Sequence, residues 1–131
     1  MHVEVGFPDK TRIQARCKNL LVETGLPPDR GGDPDALGPF DILLCSLATC
    51  TGFHVLTFLD ERGLSLEDAG VTIDAVRGRE SHLLESVNIK IRVGADFPEK
   101  YRDAMVRAAD HCLVKAQLGQ KPEFMVSVTS D

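Results

Sequence analysis

One stretch limits what this chain can fold into: Gly38 to Gly63, GPFDILLCSLATCTGFHVLTFLDERG. Pro39 suits the first position of a helix, Asp41 places a carboxylate in its first turn, and Gly63 suits a C-terminal cap. Between those signals the residues are mostly apolar on every face, which is the mark of a buried helix. A membrane span needs ~20 predominantly apolar residues, and Ser46, Thr49, Thr51, His54 and Thr57 interrupt this run. The stretch reads as the central helix of a small soluble domain.

A narrow stripe of that helix is mildly polar. Ser46, Cys50, His54 and Thr57 recur at helical spacing, with Cys50 in the middle. Two readings fit a thiol there. Free cysteine commonly packs as a small hydrophobe. A thiol held in a polar seam inside a core also has the setting of a reactive group.

The chain has 131 residues, a size for one domain, taken here as residues 1–131. So short a chain covers so apolar a helix more easily if a second copy contributes. The net charge of −5 leaves no basic patch for nucleic acid or for an anionic membrane surface. The four cysteines are Cys17, Cys45, Cys50 and Cys112. The N-terminus MHVEVGF lacks the pattern of a secretory signal, so thiols in a cytoplasmic protein are expected rather than a disulfide framework. No CxxC pair occurs, which leaves out a zinc ribbon and a thioredoxin-type motif.

Along the chain, His2 to Phe7 alternates as a strand, Pro8-Asp9-Lys10 is a turn, and Thr11 to Cys17 returns as a second strand. Leu20 to Glu23 gives a third. Thr24 to Pro39 is a long Gly-, Pro- and Asp-rich loop, read either as functional or as a plain linker. After the central helix, Leu64 to Ala69 connects to a strand at Val71 to Arg77. Val87, Ile89, Ile91 and Val93 alternate with Asn88, Lys90 and Arg92 as another. Asp96-Phe97-Pro98 opens a second helix that runs to about Leu118 before Gly119. Its apolar face is Tyr101, Met105, Ala108 and Cys112. Phe124 to Thr129 reads as a final strand. The order β-β-β-α-β-β-α-β predicts an α+β fold, an antiparallel sheet with two main helices on one side.

Cys50 and Cys112 thus sit on the inner faces of the two helices. Side-by-side helices would bring the thiols within disulfide range if their Cα atoms came to about 7 Å or less. A thiolate attacks an O–O bond and becomes a sulfenic acid, which a second thiol converts to a disulfide. The attacking thiol needs a lowered pKa, from a cation or hydrogen-bond donors. An apolar pocket would favour organic hydroperoxides over hydrogen peroxide.

These residues resemble a family. FDILLCSLATCTGFHVLTFLDERG is similar to the central-helix motif of the OsmC/Ohr proteins, an apolar run of the form LLxxSLAxCT with the cysteine inside it. RAADHCLVKAQL is similar to their second motif, an alanine-rich helix carrying a cysteine. The order and spacing of both fit the family, and the OsmC-like members more than the well-defined organic-hydroperoxide-resistance enzymes. The resemblance implies the OsmC-like fold as an intertwined homodimer, and a thiol-dependent peroxidase acting on organic hydroperoxides. Cys50 matches the peroxidatic position and Cys112 the resolving one. Ser46, Phe53 and His54 would line the substrate pocket. A dithiol, lipoyl-type or similar, would supply electrons, with no cofactor or metal.

Two departures stand out. The family commonly has a glutamate near the start of the central helix, which with an arginine from the N-terminal region orients the thiolate. The matching acid here is Asp41, which on a straight helix lies opposite Cys50 and roughly 13 Å along the axis. An acid favouring the helix dipole is the other reading of it. Arg12 lies where the family's arginine falls, with Arg16 and Arg30 as rivals, and a solvated strand side chain is the other reading. The second motif usually has proline after its cysteine, where this chain has Leu113. Two alternatives to the peroxidase fit the residues: a partial zinc site from Cys50, His54, His111 and Cys112, and a non-enzymatic dimeric binder of small apolar molecules.

Overall fold

The structure, a computed structural model, describes residues 1–130. Over the described residues the chain is a mixed α+β protein with two antiparallel sheets and three α-helices. It forms two compact units, Met1–Cys45 and the remainder from Ser46.

The first unit is a three-stranded antiparallel sheet in the order β1-β2-β3: β1 Glu4–Gly6, β2 Arg12–Cys17 and β3 Leu20–Gly25. Val5 faces Ala15 across β1–β2, and Ala15 faces Val22 across β2–β3. Asp9 organises the first turn by accepting from the N–H groups of Thr11 and Arg12, both at 2.9 Å. The expected long loop is no plain linker. It returns to the sheet through Leu26 N–H to Thr11 O at 2.9 Å and Gly25 N–H to Leu37 O at 3.3 Å. Within it, Pro28–Arg30 makes a 3₁₀ turn closed by Gly31 at φ 83°. At Gly32 any Cβ would fall 1.5 Å from Leu26 O, so only glycine fits that crossing.

Helix α1 spans Pro39–Glu61, as the flanking signals require. The Asp41 carboxylate accepts from Gly38 N–H at 2.7 Å and satisfies a backbone donor at the helix start. Gly63, at φ 61°, ends the helix with the paired bonds Leu64 N–H to Leu59 O and Gly63 N–H to Asp60 O. Two expectations for α1 need correction. Its polar residues do not take it below the hydropathy of a membrane span: its mean hydropathy is 1.9 over the best window. Nor is it buried all round. Leu47, Thr51, Val55, Phe58 and Leu59 are buried, whereas Phe53 is 61% and Leu56 50% exposed. One chain of this size covers only one face.

The rest of the second unit packs on that face. β4 (Gly70–Arg77) and β5 (Leu84–Arg92) form a two-stranded antiparallel sheet, with Ile73 opposite Ile89 and Val71 opposite Ile91. Val71, Ile73, Ala75, Val87, Ile89 and Ile91 all turn to the less exposed side, as their alternation demands. Val55, Phe58 and Leu59 of α1 form the core with Met105 and Ala109 of α2 (Arg102–Ala109). Each large side chain buried this way contributes roughly 1.5–3 kcal/mol. Arg62 closes one end, its guanidinium 3.7 Å from the centre of the Phe58 ring and 5.6 Å from that of Tyr101.

The second helix does not run unbroken from Pro98 to Leu118. A 3₁₀ turn at Glu99–Tyr101 leads into α2, and a short α3 (Leu113–Leu118) follows after a break at Asp110–Cys112. At Cys112 the backbone leaves the helical region, with ψ 115°. The expected final strand, Phe124–Thr129, has no regular structure, and Phe124, Val126 and Val128 are 84%, 96% and 96% exposed. Its alternation is that of a strand, but among the described residues no strand pairs with it. The single sheet expected is therefore two separate sheets of three and two strands.

Candidate active site

The break between α2 and α3 creates the site. A helix starts with backbone N–H groups that have no partner inside it. In α3 these donors go to sulfur. Cys112 is the residue before the helix, and its Sγ accepts from Lys115 N–H at 3.4 Å. The N–H groups of Val114 and Leu113 point to the Cys50 thiol, reached from the middle of α1. The Cys112 thiol also hydrogen-bonds to Cys50. The two sulfurs predicted from the helix faces therefore share one site, both as free thiols.

The electrostatics follow. Val114 N–H, then the Cys112 thiol, hold the Cys50 pKa below that of an ordinary cysteine; burial opposes them and Leu113 N–H assists. Donors that favour the charged form of a thiol lower its pKa. Among the described residues no cation takes part in this shift. Cys112 is 1% exposed, while Cys50 is only half-buried, so an incoming molecule meets Cys50 first. Lys115 pairs with Asp110 across the break, and this bond holds the Asp110 carboxyl below its usual range.

Leu113 is where the departure from the family pattern has a consequence. Proline there would have no N–H, whereas Leu113 supplies one to Cys50. Sequence reasoning missed the Val114 and Leu113 donors, because residues 107–118 contain no glycine or proline to announce the break.

Other residues singled out from the sequence fall as follows. Ser46, Phe53 and His54 flank Cys50 along α1 at helical spacing. Ser46 and Phe53 are exposed, His54 is half-buried, and the Phe53 and His54 rings meet edge-on at 5.3 Å. Arg12 is engaged inside the first unit, with Asp9 at 2.7 Å and Glu23 at 3.4 Å. Thr11 N–H and the Arg12 guanidinium bring the Asp9 carboxyl down to about 2. Asp41 is engaged with Gly38. Arg16 lies in β2 and Arg30 in the 3₁₀ turn. Among the described residues no three His, Cys, Asp or Glu side chains cluster to hold a metal ion, so His54 and His111 do not complete a site with the two thiols.

A groove the sequence did not announce, about 410 Å³, is lined by Ala48, Gly52, Val55, Leu59, Ala69 and Val71. At ~100° per residue, Ala48, Gly52 and Leu59 lie on the side of α1 away from Cys50.

A two-thiol site between a long apolar helix and a broken second helix, in an α+β frame, defines a class of small cysteine-bearing proteins. The OsmC-like protein family model matches residues 32–127, and the chain belongs to that family. No curated protein matches it. Solved structures share its fold. A Psychrobacter arcticus protein described as osmotic-stress-induced and of the detoxification response superposes with TM-score 0.75 at 20% identity, over 88% of this chain and 85% of that one. An OsmC-like protein of Mycoplasma pneumoniae superposes with TM-score 0.68 at 12% identity, over 90% and 86%. An organic hydroperoxide resistance protein from Legionella pneumophila superposes with TM-score 0.61 at 15% identity, over 89% and 87%.

Proposed function

We propose that the chain is a thiol-dependent peroxidase of organic hydroperoxides. The observation that carries this is the hydrogen-bonded pair of free thiols, Cys50 and Cys112, with Cys50 the more accessible and the more acidic than a free cysteine. The Cys50 thiolate attacks one peroxide oxygen and the O–O bond breaks. The alkoxide leaves, takes a proton and departs as the alcohol, while sulfur is oxidised to the sulfenic acid. Cys112 then displaces hydroxide from that sulfur and water is released with formation of a Cys50–Cys112 disulfide. An external dithiol, lipoyl-type or similar, reduces it and is itself oxidised to a disulfide. The apolar Phe53 beside Cys50 suits an organic substituent better than hydrogen peroxide. That relatives of this fold include proteins titled for organic hydroperoxide resistance supports the reading.

The acting form is a homodimer. Gly52 has open space where its Cβ would be, in the middle of a helix where glycine costs roughly 1 kcal/mol against alanine. That cost is understandable if a second copy's helix approaches closely along the groove it lines. The cytoplasm, where thiols stay reduced, is the setting that suits the pair.

The apolar groove also suits the second reading, a non-enzymatic binder of small apolar molecules. Consumption of cumene hydroperoxide in the presence of a lipoyl-type dithiol separates the two. Turnover that is lost in Cys50→Ser and stalls after one equivalent in Cys112→Ser is expected; no consumption by the reduced wild-type protein would leave the binder.

A further inference from the structure

A half-open pocket of about 200 Å³ is lined by Thr51, Ile89, Ile91, Val106, Ala109, Asp110 and Lys115. Thr51 follows Cys50 on α1, their Cα atoms ~3.8 Å apart. Asp110 and Lys115 bracket Cys112 in the chain. Thr51 is 1% exposed, and its hydroxyl has no hydrogen-bond partner among the described residues. Buried hydroxyls are rarely left so, because the desolvation is then uncompensated. A turn about χ1 exchanges the hydroxyl with the methyl, so the oxygen can face the space the residue lines.

The chemistry of the walls narrows the occupant. Four of the seven lining residues are apolar. Asp110 and Lys115 are bonded to each other, so neither brings an unpaired charge to the pocket. A pocket of about 200 Å³ has room for a compact organic group.

We infer that this cavity is a binding subsite for a small, neutral, compact organic group carrying one hydroxyl or carbonyl oxygen, with the Thr51 hydroxyl as its hydrogen-bond partner. That the group is the organic part of a hydroperoxide, or the alcohol left from it, rests on the peroxidase reading; the subsite itself does not.

The test uses the reduced full chain and two probes of matched shape, cyclohexanol and methylcyclohexane. Each is titrated while the methyl signals of Ile89, Ile91 and Val106 are followed by NMR. Cyclohexanol is expected to shift these signals saturably and to bind more tightly than methylcyclohexane. Thr51→Val keeps the shape and removes the hydroxyl. It is expected to melt no lower than wild type, to weaken cyclohexanol binding roughly tenfold, and to leave methylcyclohexane unchanged. Thr51→Ser, which keeps the hydroxyl, is expected to retain the preference for the alcohol. If neither probe moves these methyls, there is no subsite. If wild type does not prefer the alcohol, or Thr51→Val binds both probes as wild type does, the hydroxyl plays no part. No peroxide enters the experiment, so an inactive enzyme that binds cyclohexanol this way refutes the peroxidase alone, and an active one that does not refutes the subsite alone.

Discussion

The Cys112 thiol hydrogen-bonds to Cys50 at the point where α2 gives way to α3. The bond has a measurable consequence. Alkylation of Cys50 by iodoacetamide, followed against pH, should show a midpoint below the ~8.5 of a free cysteine. Cys112→Ala removes one donor to the thiolate and should raise that midpoint. Stability follows the same sign. The folded-state pKa is depressed, so Cys50 adds stability that is complete above the pKa of the unfolded chain's thiol. That stability is lost as pH falls through the folded value. An unchanged midpoint in Cys112→Ala would show that the thiols do not communicate.

Leu113→Pro tests the departure from the family motif. Proline is tolerated at the first position of a helix, so α3 should persist. The substitution deletes the least of the donors to Cys50, and the alkylation midpoint should rise, by less than in Cys112→Ala. Far-ultraviolet circular dichroism checks the helix content in the same sample. A midpoint that stays put would remove Leu113 from the site.

Gly52 reports on the dimer. In one chain a Cβ there meets nothing within 4 Å and the groove beside it is open, so Gly52→Leu should still fold. If two copies pack along the Ala48–Gly52 groove, the added side chain separates them. Sedimentation should find Gly52→Leu monomeric at concentrations where wild type is a dimer. A dimer that survives Gly52→Leu unweakened places the interface elsewhere.

Arg62 holds one end of the second unit's core. It stacks over Phe58 and donates to Phe58 O at 3.3 Å, on the last turn of α1. Arg62→Ala should lower the stability by about 1–2 kcal/mol in denaturant unfolding, through the lost stacking and the uncapped carbonyl. Arg62→Lys should recover part of it.

The parts of the fold legible in the sequence are those whose cause is local. Pro39 and Gly63 bound α1 because one fixes φ and the other tolerates φ > 0. β4 and β5 are legible because Val71, Ile73, Val87 and Ile89 alternate on a half-buried surface. Cys50 and Cys112 could be placed on inner helix faces by periodicity, and they meet. The break at Asp110–Cys112 could not, since it is held by sulfur accepting a helix's first N–H and by the Asp110–Lys115 pair, not by glycine or proline. Phe124 to Val128 has a strand's pattern, but a strand exists only with an edge to pair with, and pattern does not name the edge. The apolar face of α1 predicts burial without saying by what, and Phe53 and Leu56 remain exposed in a single chain.

Arg12 shows the limit of a positional match. The residue stands where an arginine was expected, yet Asp9 and Glu23 flank it on its own sheet and occupy its guanidinium. Position along a strand says nothing about which neighbouring carboxylates compete for the side chain.

The most direct measurement is a thiol count. The fully reduced protein is given one equivalent of an organic hydroperoxide, digested under thiol-blocking conditions and read by mass spectrometry. The account predicts a single Cys50–Cys112 disulfide, with Cys17 and Cys45 still blocked as thiols. Four unreacted thiols, or oxidation found first on Cys17 or Cys45, would contradict it.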